Sequence, residues 1–60
     1  MPGKFEVYVD QAGKYRFRLK ASNGQILVSS QGYITRRSAL EGIESVRKHA
    51  PDAPVVELED

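Results

Sequence analysis

Four cations stand at alternate positions, Lys14, Arg16, Arg18 and Lys20, interleaved with Tyr15, Phe17, Leu19 and Ala21. A period of two sends successive side chains to opposite faces of a strand, so one face is apolar and the other uniformly positive. With Tyr8 and Tyr33 beside Arg16, Arg18 and Lys20, such a face offers what single-strand nucleic-acid binders use. Cations track phosphates while aromatic rings stack on bases. The competing reading is a solvated strand face balanced by Glu6, Asp10 and the acidic C-terminal end. The formal net charge of only +1 favours that second reading.

A second cluster is Thr35-Arg36-Arg37-Ser38. Thr35 suits a helix N-cap, and two arginines then oppose the helix dipole where acids normally sit. A bound anion at Thr35, Arg36, Arg37 and Ser38 would relieve that conflict, because free N–H groups, hydroxyls and guanidiniums converge there. Pairing of Arg37 with Glu41 one turn on, with Arg36 reaching an acid elsewhere, relieves it equally.

Catalytic chemistry finds little to work with. The single His49 falls at a helix C-terminus, where a cation complements the dipole. Glu41 and Glu44 lie three apart with no further ligand at metal-binding spacing, so no metal site and no cofactor are expected. Ser29, Ser30, Ser38 and Ser45 stand in no nucleophile-elbow context. Gly13, Gly24 and Gly32 form no phosphate loop. The expectation is a protein that is not an enzyme.

The elements that must position these residues follow from patterning. Phe5, Val7 and Val9 alternate with Glu6, Tyr8 and Asp10, a strand from about Lys4 to Asp10 after a frayed Met1-Pro2-Gly3. Gly13 suits the left-handed position of the turn that follows. Val9 then faces Tyr15, Val7 faces Phe17 and Phe5 faces Leu19, with Tyr8–Arg16 and Glu6–Arg18 on the other side. Asn23-Gly24 predicts a type I′ hairpin into a third strand, Gln25 to about Ser30, with Ala21 facing Ile26 and Leu19 facing Val28. Leu27 falls among the cations, beside the methylene stem of Lys20.

Ala39, Leu40, Ile43, Val46 and Ala50 form one stripe of a helix over Arg36 to Ala50, with Glu44 and Lys48 as an i,i+4 pair. Gly42 at the stripe's edge costs about 1 kcal/mol against Ala, which close helix-on-sheet approach would justify. Pro51 disfavours helical geometry at Ala50 and ends the element. Val55 to Glu59 is the expected last strand, with Val56 and Leu58 facing the core. The core candidates are Phe5, Val7, Val9, Tyr15, Phe17, Leu19, Ala21, Ile26, Val28, Leu40, Ile43, Val46, Val56 and Leu58. The order is β-β-β-α-β, an α+β fold in a single domain over residues 1–60.

Size limits what this fold can do alone. A 60-residue chain buries only about 60% of its extended surface, so such domains usually recruit disulfides, metal or a second subunit. There is no cysteine, which removes disulfides, thiolate metal sites and a cysteine nucleophile together. A partner chain is left to supply the missing burial. No apolar run approaches the roughly 20 residues of a membrane span, and no signal-peptide core opens the chain. No membrane association is expected, and a cytoplasmic protein is.

The order of elements, with Phe5-Glu6-Val7-Tyr8, Tyr15 to Gly24, Gly32-Tyr33 and Gly42 to Lys48, resembles the YegP-like family of small bacterial proteins of unknown function. The resemblance runs from Phe5 to about Leu58, and Ala50-Pro51-Asp52-Ala53 is similar to the family's end of helix. It implies either two tandem β3-α-β repeats or one repeat that dimerises, building a single sheet with exchanged C-terminal strands. With one repeat here, the resemblance implies a homodimer whose exchanged strand carries Val55, Val56 and Leu58. It implies no activity, substrate or catalytic residue. The function expected is that of a non-enzymatic interaction or structural module, with nucleic-acid or anion binding as the alternative.

Overall fold

The computed structural model describes residues 2–59; Met1 of the expected lead and Asp60 of the acidic end lie outside it. Strands β1 (Lys4–Val9), β2 (Tyr15–Lys20) and β3 (Ile26–Ser29) form an antiparallel sheet in the order β1-β2-β3. A single helix, α1 (Arg36–His49), follows, and a short 3-10 turn over Ala50–Asp52 completes the regular structure among the described residues.

The first hairpin has the register that alternation predicts. Phe5 pairs with Leu19, Val7 with Phe17, Val9 with Tyr15, Glu6 with Arg18 and Tyr8 with Arg16. The second differs from expectation. Leu19 does face Val28, but Lys20 rather than Ala21 stands opposite Ile26, and an irregularity between Leu19 and Lys20 absorbs the extra residue. The cause is the turn. A type I′ loop needs positive φ at Asn23 as well as Gly24, and only Gly24 has it, at +91°. Gly24 N–H donates to Ala21 O at 2.9 Å, and Ala21 N–H donates to Gln25 O at 2.8 Å. Asn23 Oδ1 accepts from the Gln25 amide at 3.0 Å. This is a three-residue loop, a type I turn closed by a left-handed glycine, and it spares Asn23 the left-handed region. The β1–β2 hairpin closes the same way, with Gly13 at φ +80° and its N–H on Asp10 O at 3.0 Å.

The helix starts as its sequence dictates. Thr35 is extended (φ −120°, ψ 153°), and its hydroxyl accepts from the Ser38 amide. At the far end Ala50 keeps right-handed angles despite Pro51, and α1 tightens into the 3-10 turn instead of stopping there. Glu44 pairs with Arg47 at 3.1 Å, in place of the expected Lys48.

Helix and sheet meet at Phe17, Ala39 and Ile43, the buried hydrophobic residues. Phe5 packs edge-on to Phe17 with ring centres 6.0 Å apart, and Tyr33 stacks on it at 6.1 Å and 17°. Tyr33 is anchored by a backbone bridge to Tyr15. A Cβ at Gly42 would lie 2.7 Å from the Tyr33 hydroxyl oxygen and 3.1 Å from Cε2 of Phe17. Gly42 is therefore the point where α1 comes down onto the two rings.

The core is thinner than the apolar pattern predicts. Val7, Val9, Ile26, Val28, Val56 and Leu58, all core candidates, are exposed; for Ile26 and Val28 the reason is that α1 packs against β2 and β1 and not against β3. Leu27, expected under the stem of Lys20, is exposed as well. The expected last strand has no partner within the single chain. Residues 53–59 carry no strand pairing, and Val55, Val56 and Leu58 are 97%, 70% and 88% exposed. A strand needs a neighbouring edge, and within the chain no edge pairs with residues 53–59, which follow the 3-10 turn at Ala50–Asp52.

The seat at Gly42 sets a sign. Ala at an exposed helix position would add about 1 kcal/mol of helix propensity. Here the methyl meets two rings packed on each other, and overpacking costs about 1–3 kcal/mol. Gly42→Ala should lower the urea midpoint; a raised midpoint would show that the helix does not rest on Phe17 and Tyr33.

Candidate functional site

The face opposite the helix gathers Arg16, Arg18, Lys20 and Tyr8, as alternation predicts, and adds Lys4 beside them. What it does with their charge could not be read from spacing. Glu6 stands in the middle of β1 and meets three cations: Arg18 Nε at 2.7 Å, Lys4 Nζ at 3.5 Å and Lys20 Nζ at 3.6 Å. Asp10, just past the end of β1, binds Arg16 Nε through one carboxylate oxygen. Its other oxygen accepts the Ala12 and Lys14 amides, each at 2.9 Å. Arg16 also donates to the Ser30 carbonyl at 3.1 Å. The Arg18 guanidinium lies 4.9 Å from the centre of the Tyr8 ring, within cation–π range.

Each arginine is thus held between a carboxylate and a second partner. The pairs are half-exposed and contribute modestly to stability. Their effect is positional, because a planar guanidinium with two partners has its direction set. Hydrogen bonding to Arg18 holds the Glu6 carboxyl below its ordinary range, with smaller help from the charges of Lys20, Arg18 and Lys4. Hydrogen bonding to Arg16 does the same for Asp10, supported by the Lys14 and Ala12 amides. The same bond to Asp10 raises Arg16.

Tyr33 does not join this face. It lies on the helix side, stacked on Phe17, so the aromatic share of the basic surface is Tyr8. At the helix start, Thr35, Arg36, Arg37 and Ser38 do come together, but the Thr35 hydroxyl already takes the Ser38 amide at 3.1 Å and donates to Ser38 Oγ at 2.9 Å. Arg37 pairs with Glu41 at 3.5 Å, the alternative weighed from sequence. His49 is exposed, its Nδ1 2.9 Å from the Ser45 carbonyl in the last turn of α1. Among the described residues no three His, Cys, Asp or Glu side chains gather into a metal-binding group. No helix there is long and apolar enough to cross a membrane.

One cavity of about 230 Å³ opens at the end of the sheet, lined by Pro2, Lys4, Lys20, Ala21, Ser22 and Gly24. Sequence reasoning did not identify it. Beside it Gly3 lies against the Lys20 carbonyl, where a Cβ would come within 2.2 Å of the oxygen. It brings together the ammonium groups of Lys4 and Lys20 and the Ser22 hydroxyl, so it can attract an anion.

The depressed carboxylates make stability depend on pH with a defined sign. A group whose folded pKa lies below its unfolded value stabilises fully above the unfolded value, about 4 for a carboxyl. That contribution is lost as pH falls through the folded value. Urea midpoints should therefore drop from pH 5 to pH 2, and Glu6→Gln with Asp10→Asn should flatten the drop. A slope unchanged by the double substitution would mean that these pairs do not couple to folding.

Residues 10–57 match the profile of the Domain of unknown function (DUF1508). A UPF0339 protein of Treponema denticola is 55% identical over 58 residues, covering 97% of this chain and all of the relative. A UPF0339 protein of Methanosarcina acetivorans is also 55% identical, over 56 residues, covering 93% of this chain and 97% of the relative, so the expectation of a bacterial family widens to archaea. The UPF0339 protein YegP of Yersinia pestis is 43% identical over 56 residues, which take up 93% of this chain and only 50% of YegP. The NMR solution structure of a protein from Haloferax volcanii superimposes with a TM-score of 0.86 at 50% identity, covering 95% of this chain and 97% of that one. An Agrobacterium tumefaciens protein, also solved by NMR, reaches 0.79 at 50% identity over 93% and 90% of the two chains. The β-β-β-α chain described above therefore belongs to the DUF1508, or UPF0339, family that includes YegP, a family of unknown function.

Proposed function

We propose that this protein is a non-enzymatic interaction or structural module that works as a homodimer, closed by exchange of its C-terminal segment. One observation carries the reading. Residues 53–59 leave the body of the chain with Val55, Val56 and Leu58 in solvent. Three apolar side chains in a short unpaired segment are what a strand looks like without its sheet.

Two further features support it. Among the described residues the outer edges of β1 and β3 are both unpaired, and Val7, Val9, Ile26 and Val28 are exposed along them. YegP, of which this chain spans half, has the length for a second copy in tandem. Donating residues 55–58 to a partner's sheet would pair an edge and bury apolar surface in one step. A cytoplasmic setting is part of the proposal, in keeping with the cysteine-free sequence.

Light scattering behind a sizing column should give a dimeric mass at micromolar concentration, with a melting temperature that rises with concentration. Deleting Pro54 to Asp60 should unfold the protein. A monomeric mass with native circular dichroism would overturn the reading.

The second reading, a polyanion surface, rests on the four cations that share the β1–β2 face with two carboxylates, and on Tyr8 beneath Arg18. Binding of a labelled single-stranded oligonucleotide would then weaken steeply with salt as neutralised phosphates release counterions. Replacing Arg16, Arg18 and Lys20 with Gln would abolish it with the fold intact. Flat anisotropy at low salt up to high micromolar protein leaves only the solvated face.

A further inference from the structure

We propose that the cavity at the end of the sheet binds the phosphate group of a small phosphate monoester, held between the ammonium groups of Lys4 and Lys20 with the Ser22 hydroxyl as a third donor. The proposal goes beyond the homodimer reading and stands or falls separately from it.

Charge around the cavity does not balance. Asp10 and Arg16 pair off at the other end of the hairpin, but Glu6 is one carboxylate among three cations, Lys4, Arg18 and Lys20. Arg18 takes the close contact, at 2.7 Å, while the two ammonium nitrogens stand off at 3.5 and 3.6 Å, beyond normal hydrogen-bond length. Three positive charges against one negative leave an excess of two, and each ammonium keeps donors to spare. Lys4 and Lys20 also stand directly opposite one another across β1 and β2, where like charges are destabilising. An anion between them would remove that repulsion, and the cavity that both line is the place for it.

The walls narrow the class of anion. No carboxylate lines the cavity, and Pro2, Ala21 and Gly24 leave room for a small uncharged body. At about 230 Å³ it is smaller than the roughly 300–1,000 Å³ of pockets that enclose drug-sized ligands. It suits a phosphate carrying a few carbon atoms rather than a whole nucleotide. A phosphate monoester bears about −1.5 to −2 at neutral pH, which matches the excess of two, whereas a carboxylate supplies half as much. Ser22 adds its hydroxyl, and its amide has no backbone acceptor among the described residues. Lys20 is the better-covered donor, 24% exposed against 71% for Lys4, so it carries more of the affinity.

Two-dimensional amide NMR on the isotope-labelled full chain tests this, with glycerol phosphate, inorganic phosphate, sulfate and acetate as probes at matched ionic strength. Glycerol phosphate should give saturable shifts centred on Lys4, Lys20, Ser22 and Gly24. Lys20→Gln should weaken binding about tenfold and Lys4→Gln less, through loss of a charge-assisted hydrogen bond, while Lys14→Gln leaves it unchanged. Affinity should fall several-fold from about pH 7.5 to about pH 5, as the phosphate passes its second pKa of about 6. Over that window Glu6 stays ionised, its carboxyl held below the ordinary range by Arg18, and His49 lies at the end of α1 on the other face. Should Lys20→Gln not fold, Lys4→Gln and the pH profile of the unsubstituted chain decide. No saturation up to roughly 10 mM would overturn the proposal, as would binding that neither substitution weakens. Shifts centred on Arg16 and Arg18 would assign the ligand to the extended basic face instead. Inorganic phosphate binding as tightly as the ester would make free phosphate the ligand, and sulfate or acetate doing so without pH dependence would leave an unselective anion site. Each of these also overturns the monoester assignment.

Discussion

The structure depends on one contact, the seat of α1 on the Phe17 ring at Gly42. β2 is the strand with neighbours on both sides, and Phe17 lies at its centre, flanked by Phe5 and stacked on Tyr33. Full burial of such a ring stabilises by roughly 1.5–3 kcal/mol, a large share of what a domain this small can spare. A residue larger than glycine at 42 would lift the helix off both rings. Ala39 and Ile43, the other buried side chains, stand on the same stripe of α1 and depend on the same approach.

That seat also determines what stays uncovered. One helix centred on β2 cannot reach β3, so Ile26, Leu27 and Val28 remain half in water. The C-terminal segment, turned outward through Ala50–Asp52, adds Val55, Val56 and Leu58 to the exposed apolar inventory. Helix placement and exposed tail are two sides of one geometric fact. A three-stranded sheet with a single helix has too little material to close its own core.

On the other face, order comes from charge. Glu6 and Asp10 fix Arg16 and Arg18 in direction, and Tyr8 lies against Arg18. Cations already engaged with carboxylates must exchange those partners before they can meet a phosphate. The face is therefore first of all part of the sheet's own cross-strand pairing.

How much was legible in the sequence follows the range of the interactions concerned. Alternation along residues 5–9 and 15–21 determined the β1–β2 register, and Thr35 with the Ala39-to-Val46 stripe determined the helix, because each depends on residues a few positions apart. The gathering of Arg16, Arg18, Lys20 and Tyr8 on one face was legible for the same reason. The turn at Gly24 was not, since two loop geometries suit Asn-Gly and a hydrogen bond from Gln25 to Asn23 selects between them. Nor was the side taken by Tyr33, which a bridge to Tyr15 across the sheet decides. Glu6 as the meeting point of three cations emerged only when β1 was laid beside β2. Val55 to Leu58 read as a strand from its residues, yet pairing belongs to two segments at once, and tertiary structure alone decides whether an edge lies within reach.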